Sequence, residues 1–162
     1  MIIRLDGQQD LGVAKMKLGI IFNANKLSGK LTHFFTGCYA YHAIWVDDTA
    51  NVMYDMHWIR RKRTWPHYNP EHVILFDVPK VTAEYLENKL MTDTQWYGIL
   101  DYCLFLLRPI YHIFGRNTRN ANGVICSEMI NDDIWNCGGN TQFNPKQEPP
   151  SPCDLYNYFK EQ

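Results

Sequence analysis

The sequence has almost no net charge, since its 162 residues include 16 Lys and Arg against 17 Asp and Glu. This balance gives no electrostatic reason to expect nucleic acid or an acidic surface as a partner. Charge of one sign is concentrated in one place, the basic run RRKR at residues 60–63. We expect this run to form a solvated edge strand or a loop, with contact to a phosphate or a lipid headgroup as the alternative.

The sequence also lacks the patterns of metal sites and disulfide frameworks. Its five cysteines are an odd number at irregular spacing, without any C-x-x-C pair, which argues against a disulfide framework and a zinc knuckle. His57, His67 and His72 match no helix-face pair of metal ligands, and prolines lie between them. We therefore expect no metal site and no cofactor.

No secretory signal is recognisable at the amino-terminal end, because a basic region, an apolar core and a cleavage site of small residues are missing. We expect synthesis in the reducing cytoplasm, with release by a phage or by a dedicated secretion route as an open alternative.

The most apolar segment, residues 97–115, is interrupted by four residues that disfavour a bilayer, Asp101, Arg108, Pro109 and His112. A charge at mid-bilayer costs about 2.5–3.5 kcal/mol. We therefore expect a buried helix broken at Pro109, and weak contact of this segment with a membrane or lipid as the alternative.

The pattern of apolar residues predicts an α+β fold in one domain that spans residues 1–162. Strands are predicted at 17–22, 39–46, 51–59 and 72–78, and helices at 25–35, 82–91 and 127–135. Thr82 is the expected N-cap of the second helix. Large apolar groups occur on both faces of the two middle strands, which indicates a central antiparallel sheet covered on both sides. The strand at 72–78 is expected to be buried.

Cys126 is the strongest candidate for a nucleophile. It follows a short apolar stretch and begins the last predicted helix, where unpaired N–H groups and the helix dipole favour thiolate over thiol. Its own backbone N–H is a natural oxyanion donor. The remaining cysteines lack such a position beside a plausible base, and we expect them to be packing residues: Cys38, Cys103, Cys137 and Cys153.

His42 and Asp55 are the candidate base and orienting group for this thiol. If Val46 pairs with Asn51 across a four-residue loop, the antiparallel register places His42 opposite Asp55, with Cβ atoms roughly 4.5–5.5 Å apart. Cys126 would then attack a carbonyl carbon, His42 would move the proton and Asp55 would support the imidazolium. The alternative is structural, because unpaired cysteines and strand histidines are often only core residues.

These residues resemble a known family. The run FTGCYAYHA at residues 35–43, Asp55 after a hairpin, and Cys126 at a helix start are similar to the circularly permuted NlpC-like papain-fold proteins of the YiiX-like group. Residues 19–22 look like that family's opening strand, and residues 151–155 look like its closing turn. The resemblance implies a permuted papain-like fold with a central antiparallel sheet packed against helices.

The resemblance also implies roles for individual residues. Cys126 would be the nucleophile, His42 the base, and Asp55 the polar orienter, at a position where glutamate is commoner in that group. Tyr41 stands where a small residue, commonly serine, usually precedes the histidine, so Tyr41 is expected to narrow the pocket and contact the substrate. Proteins of this kind are common in bacteria and their phages.

The implied function is thiol-dependent hydrolysis of an amide bond in a peptide or a cell-wall peptide, through an acyl-enzyme on Cys126. One alternative is a lipid acyltransferase or thioesterase, as in the related lecithin retinol acyltransferases. The other is a catalytically inert binding module that keeps the papain-like scaffold, because a fold does not guarantee a function.

Overall fold

An antiparallel sheet of five strands forms the centre of the computed structural model of this chain. The structure describes residues 15–96, 98, 103, 107–115 and 124–162. The strands are β1 Lys15–Phe22, β2 Ala40–Asp47, β3 Val52–Met56, β4 Arg60–Thr64 and β5 Val73–Thr82. Their order across the sheet is β4-β3-β2-β1-β5, so β2 lies in the middle while β4 and β5 are the edges.

The helices of the described part of the chain have suitable residues at several of their ends. They are α1 Leu27–Thr36, α2 Ala83–Thr92, α3 Arg108–Ile113, α4 Cys126–Asn136 and α5 Pro152–Lys160. Gly37 ends α1 in the left-handed conformation, with φ 77°. The Thr82 hydroxyl accepts a hydrogen bond from the Tyr85 N–H at 3.2 Å, which confirms Thr82 as an N-cap. The α+β class and the antiparallel sheet are thereby confirmed.

Both faces of the sheet are apolar, as predicted. Trp45 of β2 packs in a core with Met129 of α4 and Leu155 of α5. Its neighbours Ile44 and Val46 belong to a second, smaller core. Successive strand residues point to opposite faces, so the two cores lie on opposite sides of β2.

The predicted pairing between β2 and β3 is wrong by two residues. Val46 pairs with Met53 rather than with Asn51. The Asp47 carboxylate accepts hydrogen bonds at 3.0 and 2.9 Å from two N–H groups of the turn, and Asn51 takes a left-handed φ of 55°, so the loop includes Asn51. Side-chain direction repeats every two residues, so a shift of two residues leaves the Asp55 side chain on the face of the sheet that was predicted.

Cys38 and Cys153 form a disulfide, with their Cα atoms 6.3 Å apart, so their assignment as packing residues is wrong. Cys38 lies between α1 and β2, and Cys153 lies in the first turn of α5. The two residues are 115 positions apart in the chain. Their pairing follows from the docking of α5 on β2, which no local spacing reveals.

Two further predictions about burial are wrong. β5 is an edge strand with mostly exposed or half-buried side chains, and the presence of Pro79 within it suits an edge position. The apolar segment 97–115, predicted as a buried helix broken at Pro109, is described only at 98, 103 and 107–115. There α3 begins at Arg108, and Ile113 is 80% exposed, so this part of the segment is not buried. Among the described residues, no helix has both the length and the apolarity that crossing a membrane requires.

Candidate active site

Cys126 is the first residue of α4, as the sequence predicts. The preceding Ile125 is extended, and its N–H donates a hydrogen bond to Glu128 Oε2 at 3.4 Å. The Glu128 side chain, in the first turn, thus caps the start of the helix. Cys126 is only 3% exposed and belongs to the core between the sheet and the helices. The candidate nucleophile is therefore at a helix start but is covered.

Burial raises the pKa of the Cys126 thiol to about 11. The backbone amides of Ala43 and Ser127 lie close enough to lower this pKa, but their effect is smaller than that of burial, and the charge of Asp55 opposes it. The expectation that the helix start makes Cys126 a thiolate is therefore wrong for this structure. The resting group is a neutral thiol.

His42 lies in β2, directly before Ala43, whose backbone adjoins the Cys126 thiol. It pairs with Ile21 of β1 and is half-buried. Burial lowers the pKa of His42 to about 4, although the nearby Asp55 carboxylate raises it. At neutral pH the imidazole is therefore uncharged and retains a lone pair that can accept a proton.

Asp55 of β3 is fully buried, and its carboxylate bonds to residues other than His42. Oδ1 accepts a hydrogen bond from Arg61 Nε at 2.9 Å, and Oδ2 accepts one from the Tyr68 hydroxyl at 3.3 Å. Within the described part of the chain, no hydrogen bond joins His42 to Asp55 or to Cys126. The Asp55 charge acts on both His42 and Cys126, but over the described residues the three predicted site residues do not form a hydrogen-bonded triad.

Tyr68 and Arg61 also belong to the site, and neither was predicted as a site residue. The ring of Tyr68 is 5.8 Å from that of His42. Burial and the Asp55 charge raise the pKa of the Tyr68 hydroxyl, so it stays protonated and donates. Tyr68 lies in a loop without any motif, whereas Arg61 could have been found as the cross-strand partner of a buried aspartate.

An open cleft of about 500 Å³ lies on the His42 side of this cluster. Its lining consists mostly of basic, aromatic and small polar side chains. They come from the α1 start, β2, the end of β3, the turn between β3 and β4, β4, and the loop after β4: Lys26, Ser28, Tyr41, His42, Met56, His57, Trp58, Arg61, Arg63, His67 and Tyr68. Tyr41 is in this cleft, where a substrate contact was predicted. Cys126 and Asp55 are not part of the lining, so the open cleft does not reach the thiol.

The basic run does not lie wholly in solvent as expected. It forms the edge strand β4, but Arg60 is buried, and its two terminal nitrogens donate to the Asp133 carboxylate at 2.7 and 3.0 Å. The Trp45 indole N–H donates to the same carboxylate at 2.8 Å. Asp133 therefore fastens α4, and with it Cys126, to β2 and β4.

No group of three or more His, Cys, Asp or Glu side chains that could hold a metal ion occurs among the residues that the structure describes. Comparison with protein-family models, with curated proteins and with solved structures finds no match for this chain. The positions of Cys126, His42 and the cleft therefore carry the functional proposal.

Proposed function

We propose that this protein is a thiol-dependent hydrolase of a peptide amide bond, with a circularly permuted papain-like fold and an acyl-enzyme intermediate on Cys126. One observation supports this most directly. Cys126 begins α4 with its thiol against the backbone of Ala43, the residue that follows His42 in β2. A thiol at a helix start and a neutral imidazole on the strand residue before its backbone neighbour are the components of nucleophilic catalysis.

The resting pair is neutral, which determines the order of proton movements. As Cys126 Sγ forms a bond to the carbonyl carbon, its proton passes to His42, and the oxyanion is stabilised by the backbone N–H of Cys126. His42 then gives the proton to the leaving amine, the C–N bond breaks, and a thioester remains. Water attacks the thioester through the same base and returns the thiol.

Asp55 supports this cycle by its charge rather than by contact. The carboxylate raises the pKa of His42 against the opposing effect of burial, so it stabilises the imidazolium that forms during attack. Arg61 and Tyr68 hold the carboxylate in place through hydrogen bonds of 2.9 and 3.3 Å. In this proposal Asp55 is a positioning residue.

An inert binding module is the second candidate, and specific observations favour it. The Cys126 thiol is buried, its pKa is raised to about 11, and it makes no hydrogen bond to His42 in the part of the chain that the structure describes. These features are typical of a structural cysteine. The two candidates differ in whether His42 activates the thiol when a ligand occupies the cleft.

A peptidyl acyloxymethyl ketone distinguishes them, because this reagent alkylates a thiol that the enzyme itself activates. We expect modification of Cys126 in the parent, at a rate reduced about 10²-fold or more in His42→Ala, measured by peptide mass spectrometry at pH 7. His72→Ala is the matched control, since His72 is exposed and lies outside the cleft lining, and it should react like the parent. Equal or absent labelling of Cys126 in parent and His42→Ala would leave the binding module as the function.

A further inference from the structure

The cleft beside His42 carries a surplus of positive charge. Three permanent cations line it, Lys26, Arg61 and Arg63, and no acidic side chain does so among the described residues. The two arginines pair with the Asp55 carboxylate, which is fully buried. One buried negative charge offsets three positive ones only in part, so the cleft attracts anions.

Asp55 holds the two guanidinium groups in place. Arg61 Nε lies 2.9 Å from Oδ1 and Arg63 Nε lies 3.7 Å from Oδ2. The two arginines are two positions apart in β4, so their side chains leave the same face of the strand. The arginine side chains remain 31% and 24% exposed, whereas the carboxylate is covered. A buried anion thus orients two partly exposed cations at the cleft wall.

The cations retain capacity for a ligand. Over the described residues, the Arg61 guanidinium donates through Nε to Asp55 and makes no other hydrogen bond, so its terminal nitrogens are unsatisfied by protein. Lys26 Nζ lies 5.6 Å from the centre of the Tyr41 ring and forms no ion pair within the same described part. Arginine's planar fork matches a carboxylate, and such charged pairs are stronger than neutral hydrogen bonds.

We infer that this cleft recognises a carboxylate of the substrate, carried by an acidic residue next to the scissile amide. The inference rests on the proposed function, for which it names the substrate class. Arg61 and Lys26 bind the carboxylate, and Trp58 and Tyr41 flank the peptide beside it. A volume of about 500 Å³ suits a dipeptide-sized group rather than an extended chain.

Binding is tested on Cys126→Ala protein, which cannot turn the ligand over. The probes are N-acetyl-glutamyl-alanine amide and its neutral isostere N-acetyl-glutaminyl-alanine amide, and the readout is the NMR signal of the Trp58 indole N–H. We expect the acidic peptide to bind at least tenfold more tightly than the neutral one. We also expect Arg61→Gln to remove this preference and Lys26→Gln to reduce it several-fold. Lys30→Gln, an exposed α1 lysine outside the cleft lining, should leave it unchanged.

Arg61→Gln leaves the buried Asp55 with one cation fewer, so Lys26→Gln, which breaks no ion pair among the described residues, keeps the test valid if the first variant unfolds. Equal affinity for both peptides, no binding of either, or an unchanged preference in Lys26→Gln would overturn the inference. Sedimentation with phosphatidylglycerol vesicles but no peptide binding would overturn it in favour of a lipid headgroup. Labelling of Cys126 by an uncharged peptidyl ketone tests catalysis separately, so either proposal can fail alone.

Discussion

Burial, rather than the helix dipole, controls the ionisation of Cys126. A helix start contributes about 0.3–1 kcal/mol to an exposed charge, whereas removing a thiolate from water costs several times more. Burial also disfavours the charged form of His42, the imidazolium. It therefore lowers the pKa of His42, whereas it raises the pKa of Cys126. The sequence showed which residue begins α4, but the degree of burial depends on packing that no local pattern contains.

Native Cys126 should therefore react slowly with iodoacetamide at pH 8. Its pKa is raised to about 11, and it is covered, whereas Cys103 is exposed. Peptide mass spectrometry should show Cys103 modified first and Cys126 at least tenfold more slowly, with the difference abolished in 6 M urea. Faster modification of Cys126 than of Cys103 in the native protein would contradict this account.

His42 should make the protein less stable in mild acid. Its pKa is about 4 when folded and near 6.5 when unfolded, so between these values the unfolded state binds more protons, and stability falls as pH falls. The loss from this group approaches roughly 3 kcal/mol below pH 4. Urea unfolding at pH 7 and pH 4 should show a smaller loss in His42→Gln than in the parent. Parallel pH profiles for both proteins would refute this assignment.

Local signals predict several elements well because the cause of each is local. Thr82 caps α2, Gly37 ends α1, and Cys126 begins α4, as the residues themselves indicate. The β2–β3 register was missed, because Asp47 organises a longer turn than the apolar pattern shows. The position of α4 on the sheet was also missed, since it depends on an ion pair between β4 and α4.

Asp133→Asn should destabilise the protein by about 3–5 kcal/mol, because it leaves the buried Arg60 without its bidentate partner. The neighbouring Asp132→Asn is the control. Asp132 has a buried Oδ1 without a hydrogen-bond partner in the described part of the chain, and burial raises its pKa to about 6. Urea unfolding at pH 7 should show little or no loss for this control. Equal losses in both variants would contradict the assigned role of the ion pair.

At the scale of the whole molecule, the alternation of apolar residues was enough to predict an α+β fold with a central antiparallel sheet. It was not enough to predict the Cys38–Cys153 disulfide or the basic cleft. Both bring together segments that are distant in the chain, and they exist only once the strands have taken the order β4-β3-β2-β1-β5. For the candidate triad, the Asp55 charge acts on both His42 and Cys126, whereas the carboxylate bonds to Arg61 and Tyr68 rather than to His42.

The disulfide should stabilise the fold strongly, because it closes a loop across 115 residues. Chain entropy alone gives roughly 5 kcal/mol for a loop of this length. Cys38→Ser with Cys153→Ser should therefore lower the urea midpoint, and dithiothreitol should do the same to the parent but not to the double variant. Cys103→Ser should have no effect, and a parent insensitive to dithiothreitol would contradict the prediction.

The hydrogen bond from the Trp45 indole to Asp133 allows the opening of the contact between α4 and the sheet to be measured. The indole proton is fully buried between β2 and α4, so it can exchange with deuterium only when this contact opens. Its exchange rate reports how often α4, which carries Cys126, separates from the sheet. Comparing that rate with and without an acidic peptide would show whether a ligand in the cleft loosens the cover over the thiol.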